Sequence, residues 1–495
     1  MRMNVKWEIE EERRKFRLHL YRFIHKWEGP LPNLLSIFRR DEIDWLITDE
    51  LEVDVPGPFI GFAISAGYKD KPDLDKNRKP WLRRITPVHR AAKLKNRAVY
   101  VRAHLKGLFK IFANFNVNYA DGCGLTHFHI ACLFGLEDVV EKFLERGQDP
   151  NCRAPLGGDS PLHLIFLKSD YRLEETIKLL LRRGANPNAV NEEGMTLLHN
   201  ICINNDNVCW AIMLFKFSEK KYHPVRVKAR DRSGKTPLHL ALKNRNRMLV
   251  ELLLKRGANP NVADKEGLTP LHIACNGNLD DQELVKMLFK FSNIKYHPLH
   301  INAQDNLGHT ALHYALISQN KSLVKLLLKE GSDPNLATKE GSTSLHIIFN
   351  DRRHHTEFAK ILFELSNEKY HPLQVNARDK WGRTPLQLAV AHLLLNEIDV
   401  LLDHGTDLSN FAFPDIIVSE YYKNGGKEFL LAPRVLAIVE RLEKRGYELY
   451  RSDALKIMKF FAECKLFANS IDRRTKKAYK KATREFIICQ RVNYI

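Results

Sequence analysis

The chain of 495 residues has only eight cysteines, none within a Cys-x-x-Cys pair. That excludes a zinc ribbon and a disulfide framework. Three of the eight, Cys132, Cys202 and Cys275, close runs such as His-Ile-Ala-Cys, where a small buried residue is expected. No apolar run approaches the ~18 residues of a membrane helix, and the first twelve residues carry charges where a secretion signal needs an apolar core. The expectation is a soluble, unsecreted, cytoplasmic chain, with the nucleus also open to it. Catalytic signatures are missing too. No Gly-x-Ser-x-Gly elbow, His-Glu-x-x-His helix, kinase set or dinucleotide fingerprint occurs. Ser233-Gly234-Lys235-Thr236 imitates the end of a phosphate loop, but Ala229 stands where its first glycine belongs. We therefore expect no enzyme and no cofactor.

What is present is repetition. The run Lys235-Thr236-Pro237-Leu238-His239-Leu240-Ala241 recurs at 269–274, 310–315 and 343–348. Weaker copies stand at 86–92, 126–131, 160–164, 196–201 and, with Gln387 for histidine, 384–389. Threonine or serine caps a helix, proline suits its first position, and leucine opens the buried face. A second apolar run follows, such as Leu249, Val250, Leu252, Leu253 and Leu254, stopped by Gly257-Ala258-Asn259-Pro260. The turn-forming Asp264-Lys265-Glu266-Gly267 then opens the next unit.

Two helices and a turn in about 33 residues around Thr-Pro-Leu-His closely resemble the ankyrin repeat. The resemblance covers roughly residues 81–413. It implies an all-α repeat solenoid of about nine helix-turn-helix units, with projecting β-hairpin fingers and a concave face that holds another protein. The motif histidines His89, His129, His163, His199, His239, His272, His313 and His346 would, as in that family, bond finger and helix-start groups rather than perform catalysis. Residues 1–80, with Trp7, Phe16, Leu20, Phe23, Ile24 and Trp27 among charges, read as a helical N-terminal cap. Ile43, Trp45, Leu46, Phe59, Ile60, Phe62 and Ile64 are its packing candidates.

A second period lies within the first. His199, His239, His272, His313, His346 and Gln387 are separated by 40, 33, 41, 33 and 41 positions. The longer units carry Tyr222-His223-Pro224, Tyr296-His297-Pro298 and Tyr370-His371-Pro372, 74 positions apart. Duplication of a two-repeat block accounts for this. The inserts follow the outer helix, as structural splices or as a partner-binding ridge.

The residue after the finger glycine also alternates: Lys235, His309 and Arg383 in one class, Met195, Leu268 and Ser342 in the other. With Arg232, Lys265, Asn306, Lys380 and Trp381, the three basic ones form a candidate partner-binding edge. Trp381 either stands exposed there, as binding tryptophans do, or folds back on its neighbour. His354-His355 has no second ligand pair at metal spacing and reads as a solvated loop.

The charge excess, 78 Lys plus Arg over 59 Asp plus Glu, is uneven. Residues 434–495 hold 16 basic and 7 acidic residues, nearly half of the net +19. After a linker at 414–433 this segment reads as a small basic helical module, with Arg473, Lys476, Lys477, Lys480, Lys481 and Arg484 in one stripe. The stripe is a solvated face, or a contact for nucleic acid, acidic membrane or an import receptor.

The array with Asp403-His404-Gly405-Thr406-Asp407-Leu408, then 442–449 and 451–455, resembles insect ankyrin proteins. Those often end in a PRANC domain, a poxvirus-type F-box-like module that recruits ubiquitin-ligase machinery. The likeness runs to about Phe467; Leu31-Pro32 is the one Leu-Pro pair, whereas an F-box-like end starts on such a pair near the C-terminus. From sequence, then, the chain is expected to be a monomeric adaptor for another protein, or a substrate adaptor that also binds cullin-type ligase components.

Overall fold

The computed structural model describes residues 5–52, 57–94, 98–155, 157–166, 174–204, 208–218, 224–277, 281–295, 298–350, 356–366, 372–417 and 431–463. Within these the regular structure is helical, and it falls into two compact units, Met1–Arg256 and Gly257–Ile495.

The first unit opens with α1 (Glu10–His25), α2 (Leu34–Ile37), α3 (Arg40–Glu52) and α4 (Phe59–Ser65). Edge-on aromatic contacts run from Trp7 to Phe16, Phe38 and Phe59, at centroid spacings of 5.8, 6.1 and 6.4 Å. Ile43, Leu46, Phe59 and Ile60 are buried, whereas Trp45, Phe62 and Ile64 are half-exposed. Buried Glu50 accepts the Phe59 and Ile60 amides at 2.9 and 3.1 Å, capping α4.

Five helix pairs follow: α5 (Pro87–Ala92) with α6 (Ala98–Ile111), α7 (His127–Leu133) with α8 (Glu137–Glu145), α9 (Pro161–Ile165) with α10 (Glu174–Arg182), α11 (Leu197–Ile203) with α12 (Val208–Ser218), and α13 (Pro237–Lys243) with α14 (Arg247–Lys255). First helices pack on first helices (α5, α7, α9, α11, α13), and second helices pack on second helices (α8, α10, α12, α14). The cap joins the same stack, α3 on α5 and α4 on α6.

The second unit holds α15 (Pro270–Cys275) with α16 (Gln282–Lys295), α17 (Ala311–Ile317) with α18 (Lys321–Glu330), α19 (Ser344–Asn350) with α20 (Thr356–Ser366), and α21 (Pro385–Ala391) with α22 (Leu395–Asp403), stacked alike. The helix starts at Thr86, Thr126, Ser160, Thr196, Thr236, Thr269, Thr310 and Thr384 are capping boxes. Helix α14 buries Leu249, Val250, Leu253 and Leu254. Each such side chain contributes roughly 1.5–3 kcal/mol of transfer free energy, enough to hold a nine-residue helix that is marginal alone. Cys132, Cys202 and Cys275 are buried as expected.

One feature differs from the sequence reading. The fingers carry no β-ladder among the described residues; the bridges found are isolated pairs such as Ala120 with Thr126. The cause is the finger aspartate. The Asp264 amide donates to the Leu268 carbonyl at 2.9 Å, but the returning Leu268 amide donates to the Asp264 carboxylate, also at 2.9 Å. Half of the hairpin ladder is thus taken over by a side chain.

In the described part of the segment after Phe413, the first helix rests on the array. Helix α23 (Ala432–Glu443) packs on α22, and α24 (Arg451–Glu463) follows. Asp453 accepts the buried Phe413 amide at 3.3 Å and the Tyr447 hydroxyl at 2.5 Å, while Lys456 donates to the Phe413 carbonyl at 2.8 Å. Helix α23 ends as the repeats' second helices end: Tyr447 donates back to Leu442 past Gly446, as Ala185 does to Leu180 past Gly184. The Lys-Arg-Gly-Tyr stretch is therefore a repeat-type helix stop.

Candidate protein-binding surface

Six of the motif histidines, His89, His129, His163, His199, His272 and His346, each tie three parts together, and all eight share the first contact. In each, Nδ1 accepts the amide of the Thr or Ser three residues earlier, at 3.0–3.3 Å. An amide can only donate, so the ring carries its proton on Nε2. That Nε2 donates across to the next finger, from His89, His163, His199, His272 and His346 to the carbonyls of Leu125, Met195, Lys235, His309 and Arg383, at 2.9–3.2 Å. His129 donates instead to Cys152 Sγ at 3.3 Å, a thiol that burial pushes up to about 12. Gln387 reproduces both contacts, its Oε1 accepting from Thr384 and its Nε2 donating to Ala412. Burial pushes His89, His129, His163, His199, His272, His313 and His346 below their ordinary range, His313 to about 4, so these are neutral at pH 7.

Three of the residues singled out for the binding edge, Lys235, His309 and Arg383, prove to be half-buried at finger bases, with their carbonyls committed to these histidines. The position after the glycine already leads into the helix. The apex is formed by the two residues between the aspartate and the glycine. Here Arg232, Lys265, Asn306, Lys380 and Trp381 are exposed.

In the second unit the apices are linked in series. Asn306, Lys339 and Lys380 donate backbone amides to the carbonyls of Glu266, Leu307 and Glu340, each at 2.9 Å, and the Asn306 side chain adds a bond to the Lys265 carbonyl at 2.7 Å. Burial opposes the charge of Asp305. Bonds from the Tyr314 hydroxyl and from the His309 and Leu307 amides outweigh it and hold the carboxyl low.

Trp381 stands 57% exposed, with Lys380 Nζ and Arg383 Cζ each 4.5 Å from its ring. Lys380 also pairs with Glu340, and Arg383 donates to buried Asp379 at 2.8 Å. Leu307, 61% exposed, occupies the same apex position two fingers earlier. The sequence reading passed over it, although it lies one 74-residue period before Trp381. Arg232 and Lys235 lie on the last finger of the first unit, where Asp231 Oδ1 accepts the Lys235 amide at 2.8 Å. The stripe Arg473, Lys476, Lys477, Lys480, Lys481 and Arg484 lies outside the described residues, as do His354, His355 and the Tyr-His pairs of the inserts.

The inserts' prolines are described, and asparagines the sequence reading missed hold them. In an ordinary junction Asn151 donates to the Gly184 carbonyl and accepts the Asn186 amide. At the inserts Asn188, Asn261 and Asn335 donate to Pro224, Pro298 and Pro372 at 3.0, 3.2 and 3.3 Å. They accept the amides of Arg226, His300 and Gln374 at 2.7, 2.9 and 2.8 Å. The prolyl carbonyl replaces the helix-stop glycine's, so the longer unit rejoins the common register.

Stacked helix pairs, capping-box histidines and linked fingers define an ankyrin array, and the chain belongs to the ankyrin-repeat proteins. The family profile of ankyrin repeats (3 copies) matches residues 162–264, 248–338 and 316–412, and that of ankyrin repeats (many copies) matches 108–165. Among curated relatives, transient receptor potential cation channel subfamily A member 1 of Homo sapiens is 31% identical over 36% of this chain and 15% of its own length. Rabankyrin-5 of Mus musculus is 32% identical over 38% and 15%. B-cell lymphoma 3 protein of Homo sapiens is 30% identical over 46% and 48%. The chain thus spans less than half the length of each. The solved ankyrin repeat domain of Bcl-3 is 27% identical, covering 44% of this chain and 92% of that one, with a TM-score of 0.38. Such repeats are protein-interaction modules.

Proposed function

We propose that the chain is a non-enzymatic adaptor that grips another protein, and that in the second unit the finger edge around Leu307 and Trp381 anchors it beside the inner-helix face. Trp381 carries this reading: a large aromatic exposed at an apex whose backbone is fixed by Asp379 and by the neighbouring finger. Rigid, exposed aromatic groups lose little freedom on binding and dominate interface energetics. The surrounding Lys265, Lys339, Lys380 and Arg383 favour an acidic partner and speed its approach. The adaptor works as a monomer in the cytoplasm or nucleus.

Affinity capture with the full chain tests this. Changing Leu307 and Trp381 together to alanine should weaken specific partners by ten- to a hundredfold with an unchanged melting midpoint; undiminished capture of every partner would refute the edge. The same capture addresses the ligase-adaptor reading, which rests on the resemblance at 403–408 and 442–455. Cullin-type components should appear among the captured proteins, and their absence ends it. The basic stripe is a proposed contact for nucleic acid or acidic membrane on its charge alone, read by salt-dependent binding that is lost with residues 471–495.

A further inference from the structure

The first finger, residues 69–85, is unlike the rest. Its turn follows the common plan: the Asp75 amide donates to the Lys79 carbonyl at 2.8 Å, and the Asn77 and Lys79 amides donate to Asp75 Oδ1 at 2.8 Å. Arg78, at φ 60°, takes the left-handed place that glycine holds elsewhere. The limbs are longer, however. Trp81 donates back to Asp73 at 2.7 Å, and Leu74 bridges to Pro80. The base is secured to the next finger by Ala120, whose amide donates to Leu82 and whose carbonyl accepts from Arg84, and to the cap by Arg84 paired with Asp44, while Asp70 within the finger accepts from Arg84 at 2.7 Å.

This fixed hairpin exposes four large apolar side chains: Leu74 at 60%, Trp81 at 60%, Leu82 at 43% and Ile85 at 52%. Exposed Lys69, Lys71, Lys76, Arg78, Lys79 and Arg83 surround them. The acids on the segment are spent internally, Asp70 on Arg84, Asp73 on Arg40 at 2.6 Å, and Asp75 in the turn.

We propose that this hairpin is a docking element for an anionic lipid surface. Two observations select that occupant. Residues alternate across a paired hairpin, so Leu74 and Pro80 lie on one face and Trp81 on the other. A protein groove covers one face of such a projection, whereas the headgroup region of a bilayer surrounds both. The charge is also one-sided, and an aromatic group set among lysines and arginines is the composition that partitions to a membrane interface. Each basic group near an anionic leaflet strengthens binding about fivefold at moderate salt, and the Debye length sets how quickly salt removes that gain.

Co-sedimentation of the full chain with phosphatidylcholine vesicles, with or without one-third phosphatidylserine, tests the proposal. Binding should require phosphatidylserine and decline with salt. Trp81→Ala with Leu82→Ala, and separately Lys76→Glu with Lys79→Glu, should each lower the partition coefficient at least tenfold, with thermal midpoints equal to the parent's. Trp381→Ala should leave it unchanged. A smaller loss in either hairpin variant overturns the proposal, as does equal binding to neutral vesicles. So does vesicle-independent capture of an acidic protein that both hairpin variants abolish without affecting lipid.

Discussion

At the scale of single residues, the array depends on groups whose chemistry admits few substitutes. His272 accepts a buried bond and donates a part-buried one, so His272→Ala should cost about 3 kcal/mol through two lost bonds and a cavity. His272→Gln should cost under about 1 kcal/mol, because Gln387 already performs both contacts in the last repeat. The pH dependence separates them further. A histidine with a lowered folded pKa contributes its full stability above the unfolded value near 6.5 and loses it as pH falls, since the unfolded chain takes the proton first. Glu50, raised to about 7 by burial, and Asp44, raised to about 6, act with opposite sign, losing stability as pH rises. Comparison with the parent isolates the histidine. Between pH 7 and pH 5 the urea midpoint of His272→Gln should fall less than the parent's.

Glycine at the fingers is required for two separate reasons, which two substitutions distinguish. Gly267 has φ +81°, and a Cβ there would meet the Asn306 backbone nitrogen at 2.6 Å. Gly382 has φ +75° but open space around it. Gly382→Ala should therefore cost only the backbone term, ~1 kcal/mol, and Gly267→Ala about 3 kcal/mol or more because the neighbouring finger must move. Equal thermal shifts for the two would refute the close-approach argument.

At the scale of elements, much was legible and the remainder has identifiable causes. Thr-Pro-Leu-His marks a helix start through local chemistry alone, so the helix pairs from α5 to α22 could be read from the text. The fingers could not be read as they are, because a β-turn composition does not reveal that an aspartate side chain will replace half of the ladder. Nor could the true apex. Lys235, His309 and Arg383 look like tip residues until their carbonyls are seen to receive histidine protons from another repeat. Asn188, Asn261 and Asn335 were invisible for the same reason, since their partners lie 36 or 37 residues away. Leu307 was legible through the 74-residue period and was overlooked. The exposure of Trp381, left open by the sequence, is settled only by the fold, where Lys380 and Arg383 each lie 4.5 Å from its ring.

At the scale of the molecule, each unit is a one-dimensional stack in which, among the described residues, the stronger helix contacts join a pair to its neighbours. Stability is accordingly local, and a weakened junction loosens the pairs beside it without dissolving the remainder. The cap and helix α23 follow the same stacking, which closes the apolar ends that an array exposes.

The asparagine-to-proline clasp has a consequence for how such a chain can grow. Ser218 ends one helix and the clasp at Pro224 sets where the chain rejoins the stack, whatever length of chain joins them. The expectation is a cargo port: foreign sequence threaded there should leave the scaffold in register as long as the clasp holds. Closure entropy rises only with the logarithm of loop length. Ten Gly-Ser residues placed after Glu219 should lower stability by less than about 1 kcal/mol, while the same insertion in a chain carrying Asn188→Ala should cost several times more, as measured by urea unfolding. The doubled block of repeats thus carries, at every second joint, a socket at which new surface can be added without redesigning the array.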